Sequence, residues 1–251
     1  MVSKNQIKLI TSLQHKKYRV EHQLFIAEGV KVIQELLASN FVLEHLFETE
    51  AIFEQVPVSQ RTVIKEQDMG RITALSSASS CLAIFKIPQE TKIDTKGLMV
   101  ALDDIRDPGN LGTIIRLCDW FGVSQLLCSY ETVDVYNPKV VQSTMGSISR
   151  IKVNYVDLNA FVLQSALPVF GTFMDGKNLY KETLPKEAIL ILGNEANGIS
   201  SELEKSIKNR IAIPRFPKAV GDASCGDIQK TESLNVATAT AIFLSEFRRN
   251  G

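Results

Sequence analysis

Residues 98–122 read LMVALDDIRDPGNLGTIIRLCDWFG. Leu98 to Leu102 is an unbroken apolar run of strand length, the pattern of a strand buried on both faces of a parallel sheet. Asp103, Asp104, Asp107, Pro108 and Gly109 interrupt both regular structures and mark a loop. Beyond it Leu111, Ile114, Ile115, Leu117 and Cys118 recur at helical spacing, Asn110 stands where an N-cap belongs, and Gly122 closes the helix. Arg116 falls on the first turns of that helix, near the loop. In open α/β sheets ligands bind beyond the carboxyl ends of the strands, so this turn is where chemistry is expected.

Downstream of this unit, strands are predicted at Ser124 to Cys128, Ile151 to Val156, Val169 to Met174, Ala188 to Leu192 and Arg210 to Ile213, with helical stretches between most of them. That alternation predicts a mostly parallel, doubly wound sheet. Upstream, Ile7 to Leu13 reads as helix, Gln23 to Ala27 as a short extended run, and Glu28 to Leu37 as helix through Val30, Val32, Ile33, Leu36 and Leu37. Leu43 to Phe47 and Ala83 to Ile87 read as strands, with a helix near Met69 to Leu75. The polar segment Pro88 to Gly97, bounded by proline and glycine, predicts a boundary between a smaller N-terminal α/β unit over residues 1–90 and a larger one over 97–251.

At 251 residues and 45% hydrophobic, the chain can bury one large core or two modest ones. No apolar run approaches a membrane span, and the first residues are polar, so a cytoplasmic protein without a membrane partner is expected. Cys81, Cys118, Cys128 and Cys225 have neither zinc-site spacing nor the density of a disulfide framework, which predicts reduced thiols and no metal. The net charge is zero but unevenly placed: Lys4, Lys8, Lys16, Lys17 and Arg19 face a single acid, Glu21, within the first 22 residues. Such an arm fits local contact with phosphate, and it fits a solvated helix face as well.

Three loops at predicted strand ends stand out. The first spans Asp103 to Arg116. The second runs from Leu192 and Gly193 through Asn194, Glu195, Ala196, Asn197 and Gly198 to Ser200, where glycine and asparagine permit close backbone approach to a ligand. Alone, it reads as a plain strand-to-helix turn ending at the N-cap Ser200, with Glu202 and Leu203 behind it. The third joins Ile213-Pro214 to Ser233-Leu234-Asn235-Val236, which opens the last helix. Together they resemble the SpoU (TrmH-like) RNA ribose methyltransferases of the SPOUT superfamily. The family's Asn-x-Gly-x-x-x-Arg is present as Asn110, Gly112 and Arg116; its Gly-Asn-Glu-x-x-Gly as Gly193, Asn194, Glu195 and Gly198; its third motif as Ile213-Pro214 with Ser233 to Val236. More weakly, Leu13, Lys17, Arg19, Phe25, Glu28, Gly29 and Lys31 resemble the family's ribosomal-protein-like substrate-binding domain. The link from Arg215 to Glu232 is longer than is usual in the family.

The resemblance implies a deep trefoil knot in the C-terminal domain, S-adenosylmethionine as methyl donor, a ribose 2′-hydroxyl of rRNA or tRNA as acceptor, and a homodimer through the C-terminal domain. It places cofactor contacts on Gly193, Ile213 and Leu234, with Leu192, Thr172 and Phe173 as weaker candidates. It places the catalytic role on Asn110, Arg116, Glu195, Ser233 and Asn235. A guanidinium stays protonated in protein settings, so Arg116 is read as a phosphate ligand that stabilises a developing alkoxide, with Ser233 and Asn235 orienting it and the ribose. Without the motifs, Arg116 would read as a partner of Asp107 or Asp119. The apolar last helix and the Trp120-Phe121 end of the first-motif helix are the surfaces expected to meet in the dimer. The reading from another class is a noncatalytic RNA-binding or assembly protein; a third is a transferase acting on a small molecule.

Overall fold

The computed structural model describes residues 2–89, 92–216 and 233–249. Its elements run α1 (Lys4–Ser12), α2 (Lys16–His22), β1 (Leu24–Glu28), α3 (Val30–Leu37), β2 (Leu43–Glu48), β3 (Arg61–Val63), α4 (Glu66–Ile72), β4 (Cys81–Lys86), β5 (Leu98–Leu102) and α5 (Pro108–Trp120). They continue with β6 (Gln125–Cys128), α6 (Pro138–Ser143), β7 (Lys152–Tyr155), α7 (Leu158–Gln164), β8 (Val169–Asn178), β9 (Ala188–Leu192), α8 (Ser201–Glu204), β10 (Asn209–Ala212) and α9 (Val236–Arg248).

The apolar run 98–102 is β5, buried at every position. Its side chains alternate between two cores, as the two-residue period of a strand requires. Leu98, Val100 and Leu102 face a cluster with Ile114 and Ile115 of α5 and Phe243 and Leu244 of α9; Met99 and Ala101 face another with Leu158 of α7 and Leu203 of α8. Helices on both faces leave no room for polar residues in the central strands. The sheet has the order β10-β8-β9-β5-β6-β7, and every neighbouring pair is parallel. From β5 the chain winds outward through β6 and β7, crosses back to β8, and returns inward to β9. β5 and β9 therefore adjoin where the winding reverses, the place where such sheets open a ligand crevice at the carboxyl ends of the strands. The segment expected to end at Met174 extends to Asn178: β8 pairs with β10 at Phe170 and Gly171, breaks register, and pairs again at Lys177 and Asn178.

A second sheet, β1-β4-β2-β3, is antiparallel except for the β2–β3 pair. Ile26, Phe47, Leu82 and Ile84 on one of its faces pack with α1 and α4. Phe25, Ala27, Leu46, Ala83 and Phe85 on the other belong to the same cluster as α5 and β5. The two sheets thus share one continuous apolar core, and the Phe25 ring packs at a tilt against Tyr136 across it, centroids 4.8 Å apart.

Arg19 corrects an expectation. Its guanidinium is 2% exposed, pairs with Asp134 at 2.5 Å and donates to the carbonyls of Leu13 and Gln14 at 2.9 Å. It pins α2 to the loop after β6 and is withdrawn from any phosphate-facing set, whereas Lys4, Lys8, Lys16 and Lys17 are exposed. Cys81, Cys118 and Cys128 are buried free thiols, and burial pushes the Cys118 thiol up to about 12. Cys225 and the link residues 217–232 lie outside the described residues. Among the described residues, no helix is long and apolar enough to cross a membrane, and no group of three or more His, Cys, Asp or Glu side chains is arranged to hold a metal.

Candidate active site

The loop after β5 is built by its aspartates. Asp103 is buried; its backbone N–H donates to Leu192 O at 2.9 Å and its carboxylate accepts from Ser200 N–H at 2.7 Å, which ties the end of β5 to both ends of the loop after β9. Asp104 adopts φ +57°, a left-handed conformation that aspartate tolerates better than most residues. The turn it makes aims its carbonyl at Asn194 Nδ2, 2.7 Å away. Asp107, not Asn110, is the N-cap of α5: its Oδ1 accepts from Asn110 N–H at 2.8 Å and Pro108 occupies the first turn. That is where proline fits best, since its absent N–H has no intrahelical partner there. The correction matters for the site. Asn110, released from capping, has its whole amide available for side-chain bonds, and Arg116 lies in the third turn of α5 rather than next to the loop.

The loop after β9 is closed by two bonds between Asn194 and Gly198, at 3.0 and 2.9 Å. Asn194 Oδ1 accepts from Ala196 N–H and Asn197 N–H, so this side chain organises the turn from inside. Gly193 is required by close approach: a Cβ there would lie 2.2 Å from Gly198 C and 2.3 Å from Ile199 N. Gly198 has open space for a Cβ but φ +69°, so its requirement is conformational.

Three motif residues form a chain. Asn235 caps α9, its Oδ1 accepting from Ala237 N–H at 3.0 Å and Thr238 N–H at 3.2 Å. With its oxygen so occupied, its Nδ2 donates to Asn110 Oδ1 at 2.9 Å. Asn110 in turn donates through Nδ2 to Glu195 Oε1. Both amides are thereby oriented by two backbone donors at a helix end, and Glu195 receives the proton donor of the chain. One carboxylate is held between two strand ends and the start of the last helix.

The remaining candidates fall as follows. Arg116 is exposed and forms no ion pair with Asp107 or Asp119; Asp107 caps α5, and Asp119 is held by Arg150 at 2.8 Å. Ser233 is exposed, and Asn235 bonds Asn110 rather than Arg116, so the orienting role expected of this pair toward Arg116 is not what the described bonds provide. Leu192 is buried, Ile213 half-buried, and Leu234 47% exposed. Thr172 is half-buried. Phe173 packs back over Gly171, with the Arg210 guanidinium 3.6 Å above its ring, so its face is already occupied. Gly112, a motif residue, serves helix packing: a Cβ would come within 2.4 Å of Ser143 Cβ on α6. Asp103, Asp104, Asp107 and the side chain of Asn194 carry the scaffold and were not among the candidate residues. Their signal was present, as three acids and a proline crowded directly after a buried strand.

The SpoU rRNA Methylase family model matches residues 97–245, well over half of the chain, and the MRM3-like substrate binding domain model matches residues 4–83. The chain is 28% identical over 254 residues to the 23S rRNA (guanosine(2553)-2'-O)-methyltransferase RlmP of Bacillus subtilis, covering 98% of this chain and 97% of that protein. A solved TrmH-family structure from Porphyromonas gingivalis shares 37% identity and a TM-score of 0.87, with 100% of each chain covered. The AdoMet-bound rRNA methyltransferase from Sinorhizobium meliloti shares 29% identity and a TM-score of 0.84, with 99% and 97% covered. With the three motifs joined at adjoining strand ends and a family model spanning them, the chain belongs to the SpoU rRNA methylase family.

Proposed function

We propose that this protein transfers a methyl group from S-adenosylmethionine to a ribose 2′-hydroxyl of ribosomal RNA. The observation that carries this reading is the hydrogen-bonded chain Asn235–Asn110–Glu195, which gathers all three motifs around one oriented carboxylate where the sheet opens. A noncatalytic RNA-binding protein would have no use for that arrangement, and both full-length relatives named above as rRNA enzymes are methyltransferases.

The residues present fit the donor. Among the described residues Ile213 and Leu234 offer apolar surface that is partly uncovered, with Leu234, next to Asn235, 47% exposed. Leu192, Gly193, Ile213 and Leu234 would hold it, with Thr172 at the margin. S-adenosylmethionine supplies, when bound, a methyl group on a sulfonium, which needs in-line approach by the acceptor oxygen and little competing water. Glu195, with Oε1 engaged by Asn110, keeps its other oxygen for the ribose or its proton. Arg116 carries a permanent planar charge suited to a phosphate beside that ribose and to the alkoxide developing on it. Ser233 sits at the same helix start and contacts the ribose.

The finer architecture belongs to the same proposal. We place the RNA-recruiting domain in residues 1–90 and the transferase domain in 97–251, the latter threaded as a trefoil knot. The extent of the two family matches and the β8 residues that leave register beside Gly176, which presses on the Ile211 backbone, support it. Lys4, Lys8, Lys16 and Lys17 contact phosphates. Two copies pair through α9 and the end of α5: Trp120 is 84% exposed there, and Arg248 holds the adjoining helix ends together by donating to Phe121 O and Gly122 O. Arg116 lies about 9 Å farther along the α5 axis than Asn110, a separation that suits a site completed across such an interface.

The purified protein, incubated with methyl-labelled S-adenosylmethionine and RNA from cells lacking it, tests the reading. Label recovered as 2′-O-methylnucleoside from ribosomal RNA supports it. Cofactor binding without RNA methylation, or methylation of a base, rejects it.

A further inference from the structure

At the end of β6 the fold spends two buried hydroxyls on displaying one exposed ring. Ser129 and Thr132 are both buried. Ser129 Oγ accepts from Asp104 N–H at 3.0 Å and Thr132 Oγ1 from Ile105 N–H at 3.3 Å, while the Ser129 N–H donates to Leu102 O at 2.9 Å and Val133 N–H to Ile105 O at 2.9 Å. The turn is closed by Thr132 N–H on Ser129 O at 3.1 Å. Its tip is Tyr130, 63% exposed, with Glu131 beside it. Nothing in the packing explains the ring: Tyr130 makes no aromatic contact and no side-chain hydrogen bond with a described residue, although its pedestal is bolted to the same Asp104 whose carbonyl holds Asn194.

The neighbours give this ring a direction. On the β5 side, Arg106 is exposed and its Nε pairs with Asp104 at 2.7 Å. On the other side, β7 ends at Tyr155, in register with Cys128; the Tyr155 hydroxyl donates to Val133 O at 2.6 Å and Lys16 Nζ stands 6.0 Å from its ring. The buried Arg19–Asp134 pair fixes α2 on this same rim. A line from the candidate active site to the exposed lysines of α2 therefore passes over the ends of β6 and β7, with Tyr130 standing between. Glu131 would repel a phosphate next to the ring, while the charge of Asp104 is matched by Arg106, so the partner that fits the ring itself is a base, whose π-face stacks on an aromatic whatever its sequence. A rigid pedestal lowers the ordering cost of such a contact.

We propose that Tyr130 stacks on an unpaired base of the RNA strand leaving the methylated ribose, and that this strand runs across the carboxyl ends of β6 and β7 toward Lys16 and Lys17. The proposal rests on the RNA 2′-O-methyltransferase reading above. It is tested with the full chain, large-subunit ribosomal RNA from cells lacking the protein, and labelled S-adenosylmethionine, comparing wild type, Tyr130→Ala and Tyr130→Phe. Loss of one base stack is expected to raise the KM for RNA roughly 5- to 150-fold in Tyr130→Ala. Cofactor affinity and melting temperature should stay at their wild-type values, which a merely structural role would not allow. Tyr130→Phe, which keeps the ring, recovers the lost KM. Ultraviolet crosslinking followed by mass spectrometry should find a nucleotide adduct on Tyr130 itself. A wild-type KM in Tyr130→Ala, or a Tyr130→Phe as impaired as the alanine variant, overturns the stack while leaving the methyltransferase reading intact. Failure of the wild type to methylate this RNA removes both.

Discussion

Asn235 performs two tasks with two different atoms, and a substitution can separate them. Its Oδ1 caps α9, and its Nδ2 holds Asn110. In Asn235→Asp one carboxylate oxygen still accepts from Ala237 and Thr238, and a negative charge suits a helix N-terminus, so the cap survives. The second oxygen then faces Asn110 Oδ1, acceptor against acceptor. Asn110 relieves that clash by turning its amide over, which points its own oxygen at Glu195 and removes the donor that held the carboxylate. A hydrogen bond to a charged group contributes about 1.5–3 kcal/mol. If that contribution orients Glu195 in the reaction, its loss lowers kcat by roughly 10- to 150-fold. Asn235→Ala loses the cap as well, which costs a further ~0.5–2 kcal/mol of stability. Single-turnover methyl transfer and thermal melting, measured on the same preparations, separate the effects. Both variants should transfer slowly, but the aspartate variant, which keeps the cap, should melt at a smaller loss than the alanine variant by about 0.5–2 kcal/mol. Wild-type transfer in Asn235→Asp would refute the chain as a functional device, and equal melting losses in the two variants would refute the capping argument.

Gly193→Ala should abolish cofactor binding by calorimetry and cost at least about 1–3 kcal/mol, because its Cβ meets backbone 2.2 Å away that no rotamer can clear. Gly198→Ala, strained by its φ of +69° but unobstructed, should cost only about 1–2 kcal/mol and keep most of the binding. Arg116→Ala should lower transfer by more than about tenfold (~1.4 kcal/mol of barrier) with cofactor affinity preserved, and Arg116→Lys should not restore it, since a point charge does not reproduce a planar fork. Burial opposes ionisation of Asp119, but hydrogen bonds from Arg150 and Ser147 hold its carboxyl below the ordinary 3.8. A depressed folded-state value stabilises fully above 3.8 and is lost as pH falls through the lower folded value, so the melting gap between wild type and Asp119→Asn should close below about pH 4. Light scattering at micromolar concentration should give twice the 27.9 kDa chain mass, and Trp120→Glu should return it to a single copy.

The strand, loop and helix around residues 98–122 were legible because burial on both faces leaves an unbroken apolar run, as it does again at Ala188–Leu192. The start of α5 was misread by three residues. Asp107, Pro108 and Asn110 all favour helix starts, and only the preference of proline for the first turn decides among them. α2 was invisible to periodicity: its sequence KKYRVEH exposes Tyr18 and Val20, and the one residue it buries is Arg19. Charge along a chain says nothing of direction, and the acid that draws Arg19 inward lies at position 134. The second half of β8, with Asp175, Gly176 and Lys177, carries no apolar pattern to mark it as strand. The motif residues were identified, but their division of labour was not. Gly112 answers to Ser143 across a helix crossing, Asn235 answers to Asn110, and neither contact has a local signature. The site's members were readable as types, while their bonds depend on strand order.

The most direct test of the account is a map of 2′-O-methylated riboses across ribosomal RNA from cells with and without this protein, repeated with Glu195→Gln and Asn235→Asp in its place. Loss of methylation at a defined ribose on deletion, its return with the wild-type chain, and its failure to return fully with either variant are the predicted results. An unchanged map on deletion, or full restoration by both variants, would contradict the assignment of this chemistry to the Asn235–Asn110–Glu195 site.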